Sequence, residues 1–225
     1  MESAMYYDAK YFEWQRRIGE FGGWANSSKF QRFIQPNDSV LDFGCGGGYL
    51  LKALTCLRRS GVEPNESAAT VARRNGIDVF HRAADVPTES VDVIISNHAL
   101  EHTNRPFDEL SALADALRPG GRLVFVVPCE SARVSYEPGD INQHLYSWSP
   151  MSAGNLVAAA GFEVATAALH RHSWPPLYET IAAITGRGGF DVACRVWARI
   201  DRRRSQVQVV ATKPTCQPRR SADVT

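Results

Sequence analysis

No apolar stretch in this 225-residue chain approaches the roughly 20 residues needed to cross a bilayer, so no membrane-spanning role is expected. Charge of one sign is also scarce. The formal net charge is +1 at pH 7, so no global field draws the protein toward a polyanion. The one strongly basic run, Arg199-Ile200-Asp201-Arg202-Arg203-Arg204, reads first as a solvated helix end or loop. Close cysteine pairs are missing: Cys45, Cys56, Cys129, Cys194 and Cys216 are scattered, with neither zinc-ligand spacing nor a disulfide framework. The opening MESAMYYDAKYFEWQ lacks the basic start and unbroken apolar segment of a secretory leader, so the expectation is a cytoplasmic protein with reduced thiols. Internal repeats and low-complexity blocks are absent too, and the length suits one domain with extensions.

What the chain does have is an alternation of strand-like and helix-like segments. Apolar, β-branched runs recur at Ser39 to Phe43, Arg59 to Glu63, Asp78 to Arg82, Val91 to Asn97 and Arg122 to Pro128. Helical segments are expected at Tyr49 to Leu57, Asn65 to Asn75 and Pro106 to Leu117, the last ended by Pro119-Gly120-Gly121. Short connections between alternating elements predict a doubly wound α/β domain with a mainly parallel sheet covered on both faces. Beyond Pro128 the rhythm loosens. Residues 129–148 read as an excursion, Ser149 to Ala160 as a helix, Phe162 to His170 as a strand and Gln206 to Thr212 as a final strand, while 171–204 are ambiguous with helix in part. The expected organisation is an aromatic helical segment at 1–35, a domain at 36–213 and a disordered polar tail at 214–225.

The stretch VLDFGCGGGYLLKAL, residues 40–54, places Gly44, Gly46, Gly47 and Gly48 in the loop after the first strand. In a doubly wound sheet that loop lies at the carboxyl edge, where ligands bind. A strand-to-helix turn needs one or two glycines, and this cluster exceeds that need. A phosphate loop would end in Gly-Lys-Ser or Gly-Lys-Thr, but the nearest lysine, Lys52, sits between Leu51 and Ala53. A dinucleotide fingerprint counted from Gly44 and Gly46 meets Tyr49 where its third glycine belongs. Asp42, just ahead of the glycines, would repel a phosphate and attract an ammonium group. Glu63, in GVEPN at the end of the next strand, is placed to accept hydrogen bonds from a ribose diol.

Four segments taken together resemble the class I S-adenosylmethionine-dependent methyltransferases. VLDFGCGGG is similar to their glycine-rich first motif, GVEPN to the ribose-binding acid, VDVIISNHALEH to the fourth-strand motif and LRPGGRLVFVVP to the fifth-strand signature, in order over residues 38–128. The resemblance implies a seven-stranded Rossmann-like sheet whose last strand runs antiparallel. It implies that Asp42, Gly44, Cys45 and Gly46 hold the methionine end of S-adenosylmethionine and Glu63 its ribose. It places Ala84 and Asp85 beside the adenine, and Asn97 and His98 near the methyl group. The front segment would be a lid, with Tyr6 or Tyr7 reaching the cofactor. The bland reading of Tyr7, Tyr11 and Trp14 is a packed helix face, and that of Asp85 is a loop-capping acid.

Methyl transfer from a sulfonium needs alignment and water exclusion more than a metal, and no metal site is expected. Glu101 and His102, adjacent on a helix, would point apart, whereas His98 and His102, four apart, would share a face. His144, in NQHLYSWSP, is the candidate general base. His102, Tyr146 and Trp148 are candidate acceptor contacts, against the plainer alternative that His102 is structural and the aromatic pair packs beneath the 129–148 excursion. The leading expectation is transfer to an O or N atom of a small-molecule acceptor such as a metabolite, natural product or sugar. An RNA acceptor ranks second, because no nucleic-acid module is recognisable. A cofactor-binding partner subunit without turnover, and a nicotinamide oxidoreductase opposed by Tyr49, are the other classes weighed.

Overall fold

The computed structural model describes residues 19–130, 135–201 and 204–215. Seven strands form one sheet: β1 (Ser39–Phe43), β2 (Arg58–Val62), β3 (Asp78–Phe80), β4 (Val91–Asn97), β5 (Leu117–Glu130), β6 (Glu163–His170) and β7 (Arg204–Thr212). Their order is β3-β2-β1-β4-β5-β7-β6. Pairing is parallel from β3 through β5, while β7 runs antiparallel between β5 and β6. This is the seven-stranded sheet with an antiparallel last strand that the resemblance implied, with the strand order reversing between β1 and β4.

The central strands read as unbroken apolar runs because both of their faces are covered. Leu41, Phe43, Ile94, Leu123, Phe125 and Val127 face one core. Their neighbours Val40, Val93, Ile95, Val124 and Val126 face the other, as the two-residue strand period requires. Among the described residues six helices complete the layers: α1 (residues 19–27), α2 (Tyr49–Lys52), α3 (Glu66–Arg74), α4 (Pro106–Ala116), α5 (Pro150–Ala159) and α6 (Tyr178–Ile200).

The helix starts follow their capping residues. The Asn65 side chain accepts from the N–H groups of Ser67 and Ala68 at the head of α3. Ser149 and Ser152 form a reciprocal capping box around Pro150 at the head of α5. Two expectations need correction. Helix α2 is four residues long rather than nine. Strand β5 begins at Leu117, whose extended backbone ends α4 and pairs with Val91 before the ladder resumes at Arg122. The ambiguous 171–204 region is mostly α6, which bends at Gly186, where φ is 62° and ψ is −170°.

Candidate active site

The site is built at the carboxyl edge of β1, β2 and β4. Gly44 has φ +78°, and a Cβ there would collide with the Ala99 methyl, so its bare backbone lets the first loop lie against the loop after β4. Gly46, at φ +53°, has nothing within 4 Å of where a Cβ would stand. Its left-handed backbone opens onto space that a ligand can enter. The Gly46 N–H donates to Glu63 Oε2 and the Asn65 N–H to Glu63 Oε1, each at 2.9 Å. Glu63 thereby clasps the glycine loop to the start of α3.

Behind the loop, Asp42 is buried and its Oδ1 has no hydrogen-bond partner. Burial pushes the Asp42 carboxyl well above the ordinary carboxylate range, and the nearby Glu63 charge adds to the effect. Burial raises Glu63 too, against the pull of its two backbone donors. A cationic or hydroxyl-rich ligand would supply the partners that this acidic pair lacks. Cys45 contributes differently: its N–H donates to the Val62 carbonyl at 3.1 Å. Its thiol is buried where Gly61 lacks a Cβ, and burial pushes the thiol pKa up.

Tyr6 and Tyr7 lie outside the described residues. The described part of the front segment does approach the loop, since α1 runs over Tyr49, the first residue of α2. A Cβ on Gly19 or on Gly47 would come within 2.6 Å of the Tyr49 ring, and one on Gly23 would strike the Tyr49 carbonyl. On its other side α1 is anchored by Phe21 and Trp24, which pack with Trp174, Tyr178 and Phe190. No sequence periodicity singled out Gly19 and Gly23, because the close approach is tertiary.

Ala84 and Asp85 occupy a 3-10 turn (Ala83–Asp85) after β3 and are exposed. Asp85 pairs with the Arg82 guanidinium at 2.6 Å and accepts from the Arg82 backbone N–H at 3.1 Å, which holds its carboxyl below the usual range. The capping role weighed as the bland reading is therefore present. At the end of β4, Asn97 Oδ1 accepts from Lys29 Nζ at 3.2 Å. His98 takes the left-handed backbone region at φ 57°, uncommon outside glycine. Its N–H donates to the Val126 carbonyl and its Nδ1 lies 3.1 Å from Glu101 Oε1.

The expectation that Glu101 and His102 diverge on a helix is overturned. Only the last three residues of the HALEH segment form a turn, and it is 3-10 (Leu100–His102), so α-helical spacing does not apply to it. Ligand-type atoms of Glu101, His102 and His144 all lie within 4.8 Å of one another. Glu101 is fully buried and its Oε2 has no hydrogen-bond partner. His144 lies between two carboxylates: Nδ1 is 2.8 Å from Glu130 Oε1, and Nε2 is 3.9 Å from Glu101 Oε1. The His102 ring packs edge-on to His144 at 5.1 Å, and burial pushes its pKa down. A carboxylate with two imidazoles suits proton transfer and is also a possible donor set for a divalent cation.

Of the aromatic pair, Trp148 is buried in the main core, which favours the packing alternative for it over an acceptor contact. Tyr146 stacks on it at 5.4 Å and donates to the Asn104 carbonyl at 3.2 Å, leaving one partly exposed face. Sequence reasoning missed Lys29 and Glu130. Lys29 is buried, and burial lowers its ammonium to about 7. Its hydrogen bonds reach Asn97 and Gln206, 68 and 177 residues away.

A family profile described as a methyltransferase domain matches residues 8–167. The ubiquinone biosynthesis O-methyltransferase of Hahella chejuensis is 31% identical over 109 residues, 42% of this chain and 45% of that protein. The tRNA U34 carboxymethyltransferase of Methylococcus capsulatus is 31% identical over 168 residues, 63% of this chain and 51% of that protein. The chain thus spans about half the length of these curated relatives. Among solved structures, phosphoethanolamine N-methyltransferase 2 of Haemonchus contortus, in complex with phosphomonomethylethanolamine and S-adenosylhomocysteine, superposes with a TM-score of 0.68 at 17% identity. It covers 95% of this chain and 60% of that one.

Proposed function

The chain belongs to the methyltransferase-domain family, and on that premise we propose that it is an S-adenosylmethionine-dependent methyltransferase acting on an O or N atom of a small-molecule acceptor. The observation that carries the cofactor assignment is the pair of acids at an open glycine loop, the buried Asp42 with an unpartnered Oδ1 and the half-buried Glu63 bonded to Gly46. The residues present fit the cofactor. Asp42 faces its ammonium, Gly44 and Gly46 leave room at the methionine end, and Glu63 takes the ribose hydroxyls. Cys45 supports the loop, Ala84 and Asp85 border the adenine, and Asn97 and His98 edge the methyl-transfer position. When bound, the cofactor supplies an electrophilic methyl group on its sulfonium.

The chain's own residues align the acceptor and handle its proton. Glu130, accepting from His144 Nδ1, fixes the tautomer in which Nε2 carries the free lone pair. His144 is then the general base for a hydroxyl or ammonium acceptor, a role worth about 10²–10⁴ in rate. Glu101, 3.9 Å from Nε2, stabilises the imidazolium that forms. His102 and the exposed face of Tyr146 border the acceptor, Trp148 braces Tyr146 from below, and α1 closes over Tyr49 as the inner part of a lid. The metal-like donor set is used here for proton transfer.

The Methylococcus relative favours a second reading, an RNA acceptor. Incubation of the protein with methyl-labelled S-adenosylmethionine and a cell extract, fractionated afterwards, separates the readings. Label in the small-molecule fraction, lost with His144→Ala, is expected. Label in RNA alone would replace the first reading with the second. Cofactor binding with no label in any fraction would mark a subunit without turnover.

A further inference from the structure

Beside the β4 end of the site lies a cavity of about 300 Å³, lined by Lys29, Arg32, Arg171, Arg195, Arg199 and the imidazoles of His170 and His172, together with Ser28. These residues come from three separated stretches of sequence. The sheet brings them together. Because β7 runs antiparallel to β5, its first residues lie at the carboxyl edge of β5, where Gln206 pairs with Pro128 on one side and with His170 on the other. Lys29 Nζ joins this corner to the reaction centre by donating to Gln206 Oε1 at 3.0 Å and to Asn97 Oδ1 at 3.2 Å. The cavity therefore opens on the acceptor half of the edge, across from Asp42 on β1 and Glu63 just after β2.

Its lining holds four guanidinium groups and one amine, and no carboxylate among the described residues. Arg32, Arg171 and Arg195 form no ion pair with any described carboxylate. Arg32 donates instead to Gln208 Oε1 and lies over the Phe33 ring. Asp191, the described acid near the cavity, accepts from Ser28 Oγ at 3.0 Å and lies 3.5 Å from His172 Nε2. The Nε2 atoms of His170 and His172 are buried with no hydrogen-bond partner. Both imidazoles are held neutral down to about 3, first by burial and then by the Lys29 charge. Arg32, Arg171 and Arg195, with no carboxylate partner among the described residues, stand beside the two buried Nε2 atoms and form a receptor for an oxyanion.

We propose that this cavity binds the anionic group, a phosphate or carboxylate, of the small-molecule acceptor. The assignment rests on the methyltransferase reading and narrows its substrate class. Lys29 sets the geometry: the anion lies on one side of its ammonium and Asn97 on the other, so the methylated atom sits a short reach from the charged end of the molecule. Arg171 and Arg195, both exposed, are the clamps that can be removed without opening the core.

The test follows ³¹P relaxation of inorganic phosphate, with saturation transfer from succinate as the carboxylate arm, on the full chain with saturating S-adenosylhomocysteine. Wild type is expected to bind at least one of the two probes. The Arg171→Gln/Arg195→Gln variant should bind it about tenfold more weakly, and an Arg58→Gln/Arg74→Gln control of equal charge change should leave binding unaltered. The stronger probe identifies the source of the charge. Loss of affinity in both variants alike, or no binding of either probe, would overturn the proposal. Displacement of the probe by S-adenosylhomocysteine would overturn it as well, since the cavity would then serve the cofactor's own carboxylate. Calorimetric affinity for S-adenosylhomocysteine, expected to match wild type in both variants, reports separately on the methyltransferase reading.

Discussion

Replacing Glu63 with Gln tests the acid that clasps the loop. Each Glu63 oxygen accepts one backbone N–H at 2.9 Å, from Gly46 and from Asn65. Glutamine keeps one carbonyl oxygen, so its amide must face one of those N–H groups donor to donor. It also removes the charge that would take the ribose hydroxyls. A hydrogen bond to a charged acceptor contributes about 1.5–3 kcal/mol net. With about 1.4 kcal/mol per tenfold, the loss in affinity for S-adenosylhomocysteine is about 10- to 150-fold. Stability should change less than affinity, because the same substitution relieves the repulsion that Glu63 exerts on the buried Asp42. Calorimetric titration of the variant, with thermal melting to confirm the fold, is the assay. Affinity within about threefold of wild type in a folded variant would refute the role of Glu63.

Asp42→Asn should weaken cofactor binding while raising the melting temperature of the ligand-free protein. A carboxyl whose folded pKa is raised loses stability as pH rises from its ordinary value toward the raised one, so the gain should be present at pH 7 and vanish near pH 4; a melt that does not depend on pH would contradict this. Gly23→Ala forces a Cβ onto the Tyr49 carbonyl, and overpacking of this kind costs about 1–3 kcal/mol, or about 2–4 °C in melting temperature per kcal/mol. Its cofactor affinity should fall as α1 is pushed from the loop, and calorimetry at unchanged affinity would argue that α1 is no part of a lid. His170 and His172 are neutral when folded down to about 3 against an ordinary 6.5, so acid favours the unfolded chain across that window. A His170→Gln/His172→Gln variant should lose less stability than wild type between those pH values in matched denaturant titrations.

The sequence carried most of the sheet because local patterns and burial coincide there. Strands β1 and β4 have the bounds their apolar runs suggested. The place of Asp42, Glu63 and the glycines at the carboxyl edge of the sheet was legible for the same reason, each fixed by its position at a strand end. Where the site depends on chain segments far apart, the sequence was mute. His144 meets Glu101 and Glu130 across the sheet edge, and Lys29 meets Asn97 and Gln206. HALEH misled because α-helical spacing was applied to a 3-10 turn that follows a left-handed His98. The choice between the two readings of Trp148 was not legible, because the loop containing it folds back, the Trp148 backbone N–H donating to the Pro128 carbonyl, and buries the indole in the core.

The whole reading turns on which nucleotide the β1–β2 corner accepts. Calorimetry of the wild-type protein against S-adenosylhomocysteine, NADH and ATP decides it. Saturable binding of the first, with neither of the others competing, is the predicted result. Retention of NADH or ATP by a protein indifferent to S-adenosylhomocysteine would contradict the account.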